Sequence, residues 1–400
     1  MTGFPPPIRS AIATIEPNGI GAVATLGLGN PDVIPLWFGE SDLVTPAFIR
    51  EAAKKALDDG KTFYTFARGI PALREAIGDF HRRTAGADID LERISVPGAA
   101  MLGVVTALQC LIDSGDEIVV VTPIWPNIFQ AAKIAGAVCR FVRLDEDWNV
   151  SPARWRLDLD KVTAACGPRT KAIFVASPGN PTGWIMAADD QRALLDFARA
   201  RGIAIISDEV YGTLLYEEGA THAPSFLRIA APDDPVFVIN SFSKPWAMTG
   251  WRIGWLVHPI SLADKMFSIV AANNTGATVF AQYGALAALS PQGDAFRSEM
   301  LERCRRGRAV VAKFIAANNR LNWIEPDGAF YGYIAIDGLT DSLGFAKRLV
   351  REAGVGVAPG TAFGPPEERA NEAFVRICFA QDAERLARGL ERLSKGMALL

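Results

Sequence analysis

One stretch, Ser241-Phe242-Ser243-Lys244-Pro245-Trp246-Ala247-Met248-Thr249-Gly250-Trp251-Arg252-Ile253-Gly254-Trp255, sets two serines, one lysine and one arginine among small and aromatic residues. It follows Val236-Phe237-Val238-Ile239, an apolar run of strand length. Desolvation disfavours an ammonium ion, so a lysine held against apolar neighbours becomes a usable amine nucleophile. Arg252, eight residues on, carries a planar fork of N–H donors suited to a phosphate. Ser241 and Ser243 add hydroxyl donors. Most of the chain's 11 lysines must be solvated surface charges, so a lone S-x-S-K would decide nothing.

Other segments add groups of complementary chemistry. Asp208 ends the apolar run Ile203-Ala204-Ile205-Ile206-Ser207, and a carboxylate under apolar cover is costly unless paired. Asn180, in Ser177-Pro178-Gly179-Asn180-Pro181-Thr182-Gly183, offers an amide donor after the run Lys171–Val175. Gly98-Ala99-Ala100 opens a helix, whose free N–H groups and positive dipole end suit an anion; plain tight packing is the alternative. Arg376 is the one charge in Phe374-Val375-Arg376-Ile377-Cys378-Phe379, and needs an anion there, either a ligand or an internal Asp or Glu. An amine able to form a Schiff base beside an anion pocket is what pyridoxal phosphate requires.

In order and spacing, these segments resemble those of the class I/II aminotransferases, the fold-type-I pyridoxal-phosphate enzymes, from about Ile34 to Phe379. Gly39-Glu40-Ser41-Asp42 is similar to the family's G-E-P-D, with Ser41 where proline is usual. Tyr64, Gly69, Leu73 and Arg74 fit its Y-x-x-x-x-G-x-x-x-L-R, and Gly328-Ala329-Phe330-Tyr331 its G-A-F-Y. Pro359-Gly360-Thr361-Ala362-Phe363-Gly364 resembles its P-G-x-x-F-G loop.

The resemblance implies a role for each position. Lys244 would hold the cofactor as a Schiff base and act as general acid and base. Asp208 would face the pyridine nitrogen, with Asn180 and Tyr211 on the phenolate oxygen and Trp125 on the ring face. Gly98, Ala99, Ala100, Ser241, Ser243 and Arg252 would form the phosphate cup; the family often has a hydroxyl near Ala100. Gly39, Asn180 and Arg376 would bind the substrate α-carboxylate, and Tyr64 would reach a partner subunit's cofactor phosphate, making a homodimer with composite sites. The reaction implied is ping-pong transfer of an amino group between an L-amino acid and a 2-oxo acid, and no metal is expected.

Positioning these groups takes a scaffold of strands alternating with helical stretches such as Ala188–Ala200. Such alternation implies an α/β fold: a mostly parallel sheet with helices on both faces and functional loops at the strands' carboxyl ends. The resemblance adds a smaller α+β domain made from both chain ends. The division is read as 1–45 joining the small domain, 46–290 as the large cofactor domain and 291–400 as the small domain. Residues 1–33 read as irregular, with Pro17-Asn18-Gly19 as a breaker, and Thr45 as the cap of a helix to Asp58. A long arginine-rich helix is expected over about Gly293–Asn318.

Composition narrows the function class. Four hundred residues, 50% hydrophobic and 21% charged, describe a globular chain too long for one simple core. Net charge is −3 without charge runs, which argues against a nucleic-acid footprint or a basic membrane patch. Five scattered cysteines with no C-x-x-C point away from disulfides and zinc and toward a cytoplasmic setting. Met1–Pro7 lacks a secretory pattern, and no apolar run reaches membrane-span length. His81, His222 and His258 match no metal spacing and are read as structural or surface residues.

The nearest rival is another reaction on the same scaffold, such as β-elimination by a C–S lyase, or decarboxylation. A cofactor-sensing regulator would need a DNA-binding module, for which no spare segment exists. A nicotinamide dehydrogenase would need a G-x-G-x-x-G that is absent. Side-chain preference stays open: an acidic substrate needs a further cation, from Arg68 or an arginine of the 293–318 helix, whereas Trp37, Phe38, Phe66 and Trp246 offer an apolar lining.

Overall fold

The computed structural model describes residues 8–13, 15 and 17–400; Met1–Pro7 lies outside the described residues. Seven strands form the central sheet: β1 (Ile94–Gly98), β2 (Glu117–Thr122), β3 (Val138–Arg143), β4 (Thr170–Ala176), β5 (Ala204–Asp208), β6 (Val236–Ser241) and β7 (Gly254–Val257). Their order is β1-β7-β6-β5-β4-β2-β3. Pairings among β2 to β6 are parallel, and β7 runs antiparallel to both β1 and β6.

These strands are apolar at nearly every position because both faces are covered. Val119, Val121, Ile173, Val175, Ile205 and Val238 join one core, with Leu194, Leu195 and Ala198 of the helix Ala188–Arg201. Their alternates Ile118, Val120, Phe174, Ile206, Phe237 and Ile239 join a second core, under Val104 and Leu108 of the helix Ala100–Leu111 and Ile128 of the helix Asn127–Ala135. This is the expected α/β architecture.

A second, antiparallel sheet contains β8 (Leu321–Trp323), β9 (Tyr331–Ile336), β10 (Ala358–Pro359) and β11 (Phe374–Cys378), in the order β8-β9-β11-β10. Both ends of the chain meet beside it. Ile34–Pro35 pairs in parallel with Val355–Gly356, and the Cys378 N–H donates to the Leu36 carbonyl. The C-terminal helix Ala383–Gly396 packs on the long helix Pro291–Ala316. That long helix begins earlier than the sequence suggested, because Ser290 caps it and Pro291 fits its first turn.

Two local expectations are corrected. Pro17-Asn18-Gly19 starts a helix rather than breaking the chain: the Asn18 side chain accepts from the Ile20 N–H and opens the helix Gly19–Ala24. Thr45 does not cap the helix Ala47–Asp58. Its hydroxyl donates to the Ala247 carbonyl (2.5 Å) and accepts from Trp251 Nε1 (3.0 Å), tying the helix start to the lysine segment. Among the described residues no helix is long and apolar enough to cross a membrane.

Candidate active site

The carboxyl ends of the parallel strands open on a cavity of about 600 Å³. β4 runs into the turn that holds Asn180, and β5 ends at Asp208, with Tyr211 just beyond. β6 ends at Ser241 and is followed by Ser243 and Lys244, while β2 leads to Ile124 and Trp125. All of these side chains line the cavity, as does Arg252. Sheet register converts long sequence separations into neighbours: Asp208 lies between Ala176 and Ile239, and Gly254 lies opposite both Gly98 and Ser241.

The phosphate-cup residues divide into two groups. Gly98 has φ 120°, which a side chain disfavours, and this turns β1 into the helix Ala100–Leu111. Ala100, Met101 and Val104 of that helix line the cavity; Gly98 and Ala99 do not. Ser241 Oγ accepts from the Ser243 N–H (3.1 Å). Arg252 sits in the left-handed region (φ 53°, ψ 50°), as does Ala247 (φ 52°). Such conformations cost on the order of 1 kcal/mol each and collect at functional sites. Arg252 Nη1 donates to the Thr249 carbonyl (2.7 Å), which fixes the guanidinium.

Lys244 and Asp208 are half-buried at this cavity, and desolvation pushes both toward neutrality. Desolvation lowers the Lys244 amine to about 8, with the cations Arg376 and Arg252 acting in the same direction. Its Nζ donates to the Gly39 carbonyl. Desolvation raises Asp208 to about 6, opposed by the Val210 N–H that its carboxylate accepts (3.2 Å) and by Lys244. Glu209, the next residue, takes no part. It accepts from Ser207 Oγ and the Phe226 N–H, and desolvation raises it to about 7.

Arg376 is fully buried on β11. Nη1 donates to Asn180 Oδ1 (3.0 Å) and Nη2 to the Trp37 carbonyl, while Nε has no partner. The guanidinium lies over the rings of Tyr331 (4.5 Å) and Phe363 (5.1 Å). Among the described residues no carboxylate pairs with it, so the internal ion pair that sequence left open is absent. Tyr331 Oη also meets Tyr211 Oη at 2.6 Å. A Cβ on Gly39 would fall 1.9 Å from Tyr331 Oη, so only glycine fits there.

Residues 31–393 match the family model for aminotransferase class I and II. The chain belongs to that family. The aminotransferase is 33% identical over 375 residues to a probable aspartate/prephenate aminotransferase of Aquifex aeolicus, covering 92% of this chain and 91% of the relative. It is 31% identical over 387 residues to an asparagine–oxo-acid transaminase of Streptococcus mutans, covering 93% of each. A Thermus thermophilus aspartate aminotransferase structure superposes with a TM-score of 0.87 at 32% identity, over 98% of this chain and 99% of that one.

Several expected residues of the aminotransferase lie elsewhere. Tyr64, expected to serve a partner subunit, is 90% exposed and outside the cavity of its own chain. Of the four aromatics offered as lining, only Phe38 reaches the cavity. Trp37 and Trp246 are buried in the core and Phe66 faces outward. His81 and His258 are core residues, held by Trp255 Nε1 and Ser95 Oγ. Sequence reasoning gave no role to Tyr331, although the G-A-F-Y segment marked it. It also missed Glu40, Thr249 and the Asn18–Gly21 start of the first pocket helix. The Asn18-Gly19 pair ahead of an apolar segment was the available signal for that helix.

Proposed function

We propose that this aminotransferase moves an amino group between an L-amino acid and a 2-oxo acid in ping-pong order, with pyridoxal 5'-phosphate held covalently through the Lys244 amine. The observation that carries this reading is one cavity that brings together a half-buried, easily deprotonated lysine, a half-buried carboxylate and a fully buried arginine without an anion.

The donor set suits the cofactor. Asp208 has a single backbone donor and can pair with a cationic pyridine N–H. Arg252, Ser241, Ser243 and the N-terminus of the helix Ala100–Leu111 supply donors for a phosphate. Trp125 offers a flat face, and Tyr211 Oη and the Asn180 amide offer hydrogen bonds to an oxygen anion. When bound, pyridoxal phosphate accepts the amino group and spreads the electron pair left at Cα into its ring.

The chain's own residues do the rest. Arg376, with a planar face set by Tyr331 and Phe363, clamps the α-carboxylate, and Asn180 orients it. Lys244 Nζ, once free, would take the Cα proton and return it on the far side of the transferred nitrogen. The Gly39 carbonyl is the acceptor that holds that amine in place. Because both oxo acids share one clamp, the first product leaves before the second acid enters. The amino and oxo acids named for the relatives all carry the α-carboxylate that this clamp fits.

We also propose a homodimer in which Tyr64 reaches the partner's cofactor phosphate. Phe63, Tyr64 and Phe66, 82%, 90% and 62% exposed, support it as an apolar patch left uncovered by this chain. The division at 45 and 290 is supported by the Ile34–Pro35 pairing with Val355–Gly356, and a cytoplasmic setting by five free cysteines. The test is Lys244→Ala. Turnover should fall by roughly 10⁴-fold, and borohydride should no longer fix the cofactor to the chain by mass. Retained turnover would overturn the assignment, and pyruvate release from cysteine thioethers without amino transfer would favour elimination.

A further inference from the structure

Family membership leaves the substrate side chain open, and the cavity wall narrows it. Three cations line the cavity: Lys244, Arg252 and Arg376. In the function proposed above each is committed, to the cofactor aldehyde, the cofactor phosphate and the α-carboxylate. A substrate with a second carboxylate would need a fourth, and among the described residues this chain supplies none.

The arginines that sequence left as candidates are paired elsewhere or, for Arg306, exposed away from the cavity lining. Arg68 is bound to the Glu92 carboxylate and carbonyl (2.9 Å to the carbonyl). In the long helix, Arg297, Arg303, Arg305 and Arg308 pair with Asp294, Asp42, Glu302 and Glu325. None of them lines the cavity. The remaining charge on the wall has the wrong sign for a dicarboxylate: Glu40, fixed by a hydrogen bond from Thr249 Oγ1 (2.9 Å). A distal carboxylate would enter unpaired and beside another anion, which is the costly arrangement.

The wall nearest the carboxylate clamp is apolar. Phe38 follows Trp37, whose carbonyl accepts from Arg376. The helix Gly19–Ala24 packs on β10, whose Ala358 lies opposite Arg376, and it brings Ile20 and Gly21 to the cavity. Phe38 lines the cavity and is 39% exposed. Ile20 and Phe38 thus share the lining with Arg376, together with a neutral amide pair, Asn18 and Asn127 (3.3 Å).

We infer that the amino donor and the oxo-acid acceptor carry neutral, mainly apolar side chains, that Ile20 and Phe38 select them, and that dicarboxylates are disfavoured. This rests on the aminotransfer reading, so two measurements on the cofactor-loaded enzyme keep the two apart. The first follows cofactor absorbance in the half-reaction with leucine, phenylalanine and methionine against aspartate and glutamate. The neutral donors should show kcat/KM higher by at least about tenfold. The second measures dissociation constants of unreactive acids, 4-methylvalerate and hydrocinnamate against succinate and glutarate, by thermal shift. The monoacids should bind at least about tenfold tighter.

Two variants sharpen the result. A side chain at Gly21 would meet no atom within 4 Å, so Gly21→Lys adds a cation with room to extend and should narrow the gap in favour of succinate. Phe38→Ala should raise KM for phenylalanine by about tenfold and for alanine by less. Preference for aspartate or glutamate, or tighter succinate binding by the unmodified enzyme, overturns the inference and leaves aminotransfer standing. Failure of every amino acid to change the cofactor absorbance overturns aminotransfer and this inference with it.

Discussion

The two halves of the cavity are built in opposite ways. The half proposed to hold the cofactor comes from one sheet, where the ends of β2, β4, β5 and β6 lie side by side and β7 stands between β6 and β1. The substrate half comes from three pieces far apart in the chain: residues 18–21, residues 37–40, and Tyr331 with Arg376 of the second sheet. The first half owes its geometry to strand register, which a local pattern specifies. The second owes its geometry to packing, with Arg376 held between two rings and by the Trp37 carbonyl. A site made this way can keep one chemistry while its substrate side changes, because different elements carry the two tasks.

Substitutions on either side should separate these tasks. Asp208→Asn, on the cofactor side, should lower kcat by roughly 10²–10³-fold with KM little changed, as when a preorganised electrostatic partner is lost; steady-state kinetics reads this. Arg376→Met, on the substrate side, should raise KM by about 100-fold with a smaller change in kcat. It should not lower the Tm of the cofactor-free protein, since it removes a buried charge that has no counter-ion. A large drop in kcat with KM unchanged for that variant would erase the contrast between the halves.

A pH titration probes the lysine on the cofactor side. Lys244 releases its proton near 8 rather than 10.5, so below that point the free amine falls tenfold per pH unit. The rate of cofactor capture by the cofactor-free protein should therefore climb from pH 6 to about 8 and then level. A rise continuing to pH 10 would mean that the amine is not desolvated. The smallest effect is expected where the halves touch. Tyr331→Phe removes the hydrogen bond to Tyr211 (2.6 Å), worth about 1 kcal/mol, and should lower kcat/KM about fivefold.

Much of the cofactor half was legible in sequence. The buried strands announce themselves as short runs such as Val119-Val120-Val121, and Asn180, Asp208 and Lys244 follow them directly. Identity alone did not tell which aromatic faces the cavity: Trp37 and Phe38 are adjacent, yet one enters the core and the other the lining. Thr45 had the right type and place for a cap, but a tertiary hydrogen bond to Ala247 claimed its hydroxyl. Tyr331 could be matched to a segment but not given a task, because its partners Tyr211 and Arg376 lie 120 and 45 residues away.

By itself the sequence determined the strand runs, the turn residues after them and the chemical types those turns present, since periodicity and short-range sterics act within a few residues. The tertiary structure alone decided that Arg376 has no anion among the described residues, that Lys244 is desolvated, and that Arg68 and the arginines of the long helix lie outside the cavity lining. Burial and pairing are properties of the assembled surroundings. They depend on which distant atoms fill the space around a group, and no local pattern carries that information.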